Sequence, residues 1–359
     1  MAANTTNRLV GNDLVIGITM GDPGGIGPEV VVKALADPSL RREAKFIIFG
    51  LDEPLEYAAD LAEVEPFWMR FPHEKISRDY PRQVSVADYD EYSTPSWVHA
   101  PTRMSGEASL RFCLDAIDAA RDGLIDAVVT APINKTSWHL AGAKWPGHTE
   151  LLADRCKSPR KAMMFVAGPL KLALATIHEA LFEIRHKFTI GCVFEPIDLL
   201  NTALKEYFGI DKPRIAVAGL NPHAGEDGQF GDEEQRIIKP ALLLAQEVGI
   251  NCEGPFPADS LFAHAVHGEY DGVVAMYHDQ GLIPVKMLAF DSAVNVTIGL
   301  PIIRTSPAHG TAFDIAGKGI ANAESMKAAI RTAIEMAKMK QCQSLNAKDT
   351  KRSSTITTD

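Results

Sequence analysis

The sequence predicts an α/β fold with a largely parallel sheet, and three observations carry that expectation. Short apolar runs of strand length, bounded by turn signals, alternate with segments of helical periodicity along most of the chain. Three of these runs end on a histidine: "KLALATIH" at His178, "RIAVAGLNPHAGE" at Asn221, Pro222 and His223, and "YDGVVAMYHDQG" at His278, Asp279 and Gln280. At 359 residues the chain also exceeds most single hydrophobic cores, so two domains are expected.

The elements follow in order. "LVIGITM" (14–20) is a strand, and "GDPGGIGPEVVVKALAD" turns from it into a helix with Pro28 suited to the first turn. "KFIIFG" (45–50) is a second strand. "SGEASLRFCLDAIDAARDG" (105–123) has helical periodicity, with Ser105 as its expected cap. "IDAVVTAP" is a strand ending at Ala131 and Pro132, and "WPGHTELLA" sets His148 and Thr149 at a helix start. The three histidine-bearing strands come next, separated by helices such as "GDEEQRIIKPALLLAQEVG". "AVNVTIGLP" (293–301) is a further strand, and "ESMKAAIRTAIEMAKMK" is a closing amphipathic helix. Motif placement divides the chain at 135/136 and 300/301. Residues 1–135 with 301–340 form a first domain, 136–300 a second, and the polar stretch 341–359 a disordered tail.

Bulk properties exclude several function classes. A formal net charge of −10 argues against nonspecific binding to nucleic acid or anionic membranes. No apolar stretch is long enough to span a bilayer, and the first residues lack the build of a secretory signal. Five scattered cysteines without CxxC spacing fit reduced thiols, so a cytoplasmic location is expected.

In open α/β sheets ligands bind beyond the carboxyl ends of the strands, where residues distant in sequence meet. A single strand-end histidine is usually a surface residue. Three that converge, flanked by Asp279, Asn221, Glu226 and Asp259, suit a divalent transition metal. His264 and His267 have one-turn spacing but belong on the exposed face of the helix before the 272–277 strand; His73, His99, His139 and His186 have no partner motif. "GDPGGIGPE" lies between strand and helix yet fails the G-x-G-x-x-G/A pattern, since position 30 is Val. "AHGTAFDIAGKG" (308–319) fails it too. Lys286, Asn295, Arg304, His148 and Thr149, gathered at one cleft, would bind a carboxylate or phosphate.

Taken together, "ITMGDPGGIGPEVVVKAL", "VTAPINK", "PGHTE", "LNPHAGEDGQFGDEE", "PADSLF", "AMYHDQGLIPVK" and "VNVTIGLPIIRTSPAHGTAFDIAGKG" resemble the 4-hydroxythreonine-4-phosphate dehydrogenase family of pyridoxal phosphate biosynthesis. "GDPGGIGPEV" and "HGTAFDIAGKGIAN" also resemble the broader isocitrate and isopropylmalate dehydrogenase group. The resemblance implies two α/β/α domains with the active site in the interdomain cleft, and an NAD or NADP enzyme without a Rossmann fingerprint. It implies metal ligands at His178, His223 and His278, with zinc the expected ion and cobalt or magnesium as alternatives. Substrate contacts are implied at His148, Thr149, Lys286, Asn295 and Arg304, an active-site acid at Asp259, and cofactor contacts at His309, Gly310 and Asp314. It also implies a homodimer in which the metal site is shared between subunits. Relatives acting on phosphorylated four-carbon sugar acids or on a dihydrodiol dicarboxylate carry the same metal trio, which therefore does not select among substrates.

The chemistry fits these residues. Oxidising a secondary alcohol by hydride transfer needs loss of the hydroxyl proton, which a coordinated cation favours and which Asp259 or a water receives. Hydride passes to nicotinamide. A metal-dependent hydrolase using the same histidines is the rival from another class, against which the 308–321 stretch argues; a nonenzymatic binding protein has least support.

Overall fold

The computed structural model describes residues 14–80, 83–94 and 98–355, with side chains as far as residue 346. Its strands are β1 (Val15–Thr19), β2 (Lys45–Gly50), β3 (Met69–Pro72), β4 (Val84–Asp88) and β5 (Ala127–Thr130). These are followed by β6 (Ala162–Ala167), β7 (Leu170–Leu174), β8 (Ile215–Ala218), β9 (Cys252–Phe256), β10 (Gly272–Ala275), β11 (Val294–Ile298) and β12 (Ile303–Pro307). The chain divides into two compact units, residues 1–157 with 301–359 and residues 158–300.

In the first unit the strand order is β3-β4-β2-β1-β5-β12, and every pairing is parallel. β1 shows why: Val15, Ile16 and Ile18 are all buried, so helices must cover both faces of the sheet. The helix Gly27–Leu35 has Pro28 in its first turn, as expected. The helix Arg103–Arg121 is capped by Thr102, whose hydroxyl accepts from Ser105 N, so Ser105 supplies the amide rather than the cap. The helices Lys135–Leu140 and His148–Arg155 belong to this unit. Gly106 lets the first of them approach closely, since a Cβ there would collide with the Ser137 carbonyl. Arg155 Nε donates to Asp118 at 3.0 Å and ties the second to Arg103–Arg121. His148 and Thr149 therefore lie in the same unit as Arg304.

The closing helix runs Glu324–Thr355, which corrects the expectation of a disordered tail from 341. Residues 324–355 contain neither glycine nor proline, and extending an existing helix costs far less than starting one. Residues 356–359 of that tail lie outside the described residues.

In the second unit the order is β11-β6-β7-β10-β8-β9. β6 runs antiparallel to both its neighbours, β11 and β7, whereas β7, β10, β8 and β9 are parallel. β7, β10 and β8 are thus neighbours, and their carboxyl ends open on one edge of the unit. Four buried residues in each make them strands, β7 being interrupted by the half-buried Lys171. No helix among the described residues is long and apolar enough to cross a membrane.

Candidate active site

Three loops leave the ends of β7, β10 and β8, and each carries a histidine. They are joined by hydrogen bonds that sequence alone did not reveal. Thr176 Oγ1, two residues before His178, donates to Met276 O at 2.7 Å. Gln280 accepts from Met276 N at 2.7 Å and donates to Gly219 O at 2.7 Å, so its amide bridges the ends of β10 and β8. The loop after β8 is held by Glu234, which is buried and accepts from the backbone amides of Leu220 and Asn221. Asn221 Nδ2 donates to both Glu233 and Glu234. Asn221 is therefore a scaffold for the loop.

His178 and His278 come together, their ring centroids 6.1 Å apart. Two imidazoles on one tetrahedral ion through nitrogen bonds of about 2 Å have centroids roughly 5 Å apart, so this pair stands about 1 Å wider than a closed metal pair and near enough to share an ion after a small side-chain shift. His278 opens the helix His278–Ala289, and its Nδ1 lies 2.6 Å from Asp279 Oδ1. A carboxylate on one ring nitrogen fixes the tautomer and leaves Nε2 to a metal. His223 lies on the loop after β8. It is exposed, and its ring lies 6.2 Å from that of Phe230. It begins five successive residues in the left-handed region, His223 to Asp227, four of them not glycine. Such geometry costs about 1–2 kcal/mol per non-glycine residue and is retained where function holds it. Among the described residues no three His, Cys, Asp or Glu side chains of this chain stand together as a metal site. Asp259 opens the helix Ala258–Val266 and is exposed. Lys286 lies on the His278–Ala289 helix, its Nζ 5.1 Å from the Phe290 ring centroid. Asn295 is in β11, where its Oδ1 is buried and has no partner among the described residues. His264 and His267 are exposed, as expected, with His264 bonded to Glu269.

The first unit builds a separate basic cluster. Arg304 in β12 is 3% exposed, and both its Nε (3.1 Å) and Nη2 (2.7 Å) donate to Thr130 Oγ1 at the end of β5. Burial pushes its guanidinium down to about 10, so it remains charged at neutral pH. His148 begins the helix His148–Arg155. Burial, and then the positive charges of Arg304 and Lys135, hold its imidazole well below the usual range and therefore neutral. Its Nε2 is buried with no partner among the described residues, and Trp138 meets the ring edge-on at 5.5 Å. Thr149 follows in the same first turn. Asn134 caps the helix Lys135–Leu140 through Ser137 N.

The two glycine-rich stretches meet in this unit. Ile26 N donates to Thr311 O at 2.9 Å, and a Cβ on Gly25 would lie 2.9 Å from that same oxygen. Gly25 is a close-approach glycine, needed where the two stretches meet. His99 takes a place sequence did not assign it: its Nδ1 is 3.1 Å from Gly24 O, and its ring fills the space a side chain on Gly317 would need. Glu29 and Lys33 fasten the far end of the stretch, with Lys33 Nζ donating to Gly319 O and Ala321 O. His309 Nδ1 lies 3.1 Å from Gly310 O, and Asp314 is exposed on the turn that follows.

The model of the family described as pyridoxal phosphate biosynthetic protein PdxA matches residues 42–333. A 4-hydroxythreonine-4-phosphate dehydrogenase of Desulforapulum autotrophicum is 45% identical over 333 residues, covering 90% of this chain and 96% of the relative. A D-threonate 4-phosphate dehydrogenase of Cupriavidus necator is 44% identical over 328 residues, covering 90% of this chain and 97% of the relative. The crystal structure of a 4-hydroxythreonine-4-phosphate dehydrogenase from Klebsiella pneumoniae aligns with a TM-score of 0.81 at 38% identity, covering 90% of this chain and 99% of that one.

Proposed function

The chain belongs to the PdxA family of pyridoxal phosphate biosynthetic proteins, and from that premise we propose that it oxidises 4-phosphohydroxy-L-threonine at its secondary hydroxyl with NAD or NADP. The oxidised product then loses CO2 to give 3-amino-2-oxopropyl phosphate. The observation that carries the reading is the meeting of His178 and His278 at the ends of adjacent parallel strands, with Asp279 orienting one of them.

His178, His223 and His278 are the residues that would hold a divalent cation, with zinc suited to imidazole ligands and cobalt or magnesium as alternatives. Such a cation supplies Lewis-acid stabilisation of an alkoxide and of the enolate left by decarboxylation. Asp259 receives the hydroxyl proton. Arg304, His148 and Thr149, with Lys286 and Asn295, bind the anionic end of the substrate. His309, Gly310 and Asp314 lie on the cofactor side, where nicotinamide accepts the hydride.

The active form is a cytoplasmic homodimer in which the metal site is shared between subunits. What supports this is the exposed apolar side chains near His178 and His278 in sequence, Leu181, Phe182, Ile283 and Met287.

The test follows NADH or NADPH formation by zinc-, cobalt- or magnesium-loaded protein. 4-phosphohydroxy-L-threonine is compared with D-threonate 4-phosphate and D-erythronate 4-phosphate, with and without a chelator. Fastest chelator-sensitive turnover on the amino acid supports the proposal. A preference for a sugar acid moves the enzyme to the second reading, which the 44% identity to a D-threonate 4-phosphate dehydrogenase favours almost as strongly as the 45% favours the first. Turnover on none of the three sinks the substrate assignment.

Thr130 is an acceptor that positions Arg304. Thr130→Val should raise KM for the phosphorylated substrate about tenfold or more while kcat changes little, since it removes the acceptor of two hydrogen bonds from a charged group, each worth about 1.5–3 kcal/mol. An unchanged KM in steady-state kinetics would show that Arg304 keeps its place without it.

A further inference from the structure

We propose that Lys135 is a further substrate-binding residue, its ammonium contacting the substrate phosphate beside Arg304 and His148. The inference rests on the phosphorylated-substrate reading above and deepens it by naming the second positive charge.

Lys135 opens the helix Lys135–Leu140 immediately after the β5 loop, and β5 ends in the Thr130 that holds Arg304. Trp138, three residues on and so on the same helix face, packs against the His148 ring. Gly147, which precedes His148, has no side chain; a Cβ there would stand 3.5 Å from Lys135 Cε and 3.5 Å from Glu150 Oε2, a carboxylate that forms no ion pair with the lysine among the described residues. The lysine stem thus passes directly beside the backbone of the "GHTE" turn.

Two features of this cluster call for an anion. Lys135 is exposed and makes no ion pair among the described residues, although it stands close enough to act electrostatically on His148, as Arg304 does. Two cations acting on one neutral imidazole make a positive pocket that a bound anion would stabilise. His148 Nε2 is also buried without a partner, and such a polar atom is normally satisfied by a ligand or water. A phosphate monoester carries a charge of about −1.5 to −2 at neutral pH. Arg304 supplies one positive charge and the neutral His148 none, which leaves the second to Lys135 within this unit.

The experiment measures inorganic phosphate binding to the full-length protein by isothermal titration calorimetry, without substrate or cofactor, alongside steady-state kinetics. Lys135→Met should weaken phosphate binding about tenfold or more, the loss of one charge-assisted hydrogen bond. It should raise KM for 4-phosphohydroxy-L-threonine by a similar factor and leave kcat nearly unchanged, while Lys135→Arg retains most of both. Lys135→Gln replaces the methionine variant if circular dichroism shows that the latter is misfolded. Phosphate affinity equal to wild type would overturn the proposal. So would a fall in kcat at constant KM, which would make Lys135 a proton-transfer group, and so would a wild-type protein that binds no phosphate. Because inorganic phosphate lacks the organic part of the substrate, the binding result stands whichever phosphorylated acid is oxidised.

Discussion

Replacing His278 with alanine is expected to release the metal and to abolish turnover. The size of the loss follows from what the cation contributes. Lewis-acid stabilisation of a developing oxyanion is worth several kcal/mol, and each 1.36 kcal/mol is a tenfold change in rate, so a fall of about a thousandfold or more is expected. The fold should survive, because His278 lies at a helix start and its side chain is 44% exposed. Two measurements check this together: metal content after dialysis and the near-UV circular dichroism spectrum. Loss of metal with an unchanged spectrum supports the assignment. Retained metal with normal turnover would remove His278 from the site. Asp279→Ala gives the graded companion result. It leaves all three imidazoles but frees Nδ1 of His278, and weakening of metal affinity by about 10- to 100-fold is expected from loss of an orienting carboxylate.

The site was legible in the sequence to different depths, and the differences have physical causes. Each apolar run that ends in a histidine announces a buried strand locally, so His178, His223 and His278 could be placed at strand ends from their immediate neighbours. That β7, β10 and β8 are adjacent was not legible, because strand pairing is non-local. The hydrogen bonds that lock the three loops together span 100 residues between Thr176 and Met276, and 61 between Gln280 and Gly219. The Arg304–Thr130 contact spans 174 residues. Nothing near Thr130 in the sequence marks it as an acceptor for a buried guanidinium. Lys135 and Trp138 stand in or beside the "VTAPINK" stretch, yet their relevance depends on the helix turning one face toward His148. His99 was passed over for the same reason, since its partners are glycine backbones at positions 24 and 317. The tail misled in the other direction: composition reported polarity correctly, but a helix already started at Glu324 needs only the absence of breakers to continue.

The exposed face of the helix His278–Ala289 leads to the second large effect. Ile283, Met287 and Phe290 recur at i, i+4 and i+7, the spacing of one helical stripe. They are 58%, 82% and 71% exposed in the single chain. Leu181 and Phe182, a few residues beyond His178, are 62% and 85% exposed. Leaving such side chains in water forfeits about 1.5–3 kcal/mol each relative to full burial, so a stripe of them favours association. Because the stripe and His278 share one helix, pairing there would also fix the helix end that presents His278. Met287→Glu should therefore yield a monomer in sedimentation velocity experiments, because it would place a carboxylate where apolar side chains pack together. The monomer should keep its circular dichroism spectrum, since Met287 contributes little to the single chain's own core. It should also lose metal and turnover together, if His223 completes the site only when two chains meet. A variant that stays dimeric and active would show that this stripe is not the contact. A fully active monomer would be more informative, because all three histidines would then have to act within one chain, and the loop from His223 to Asp227 would have to close on the other two.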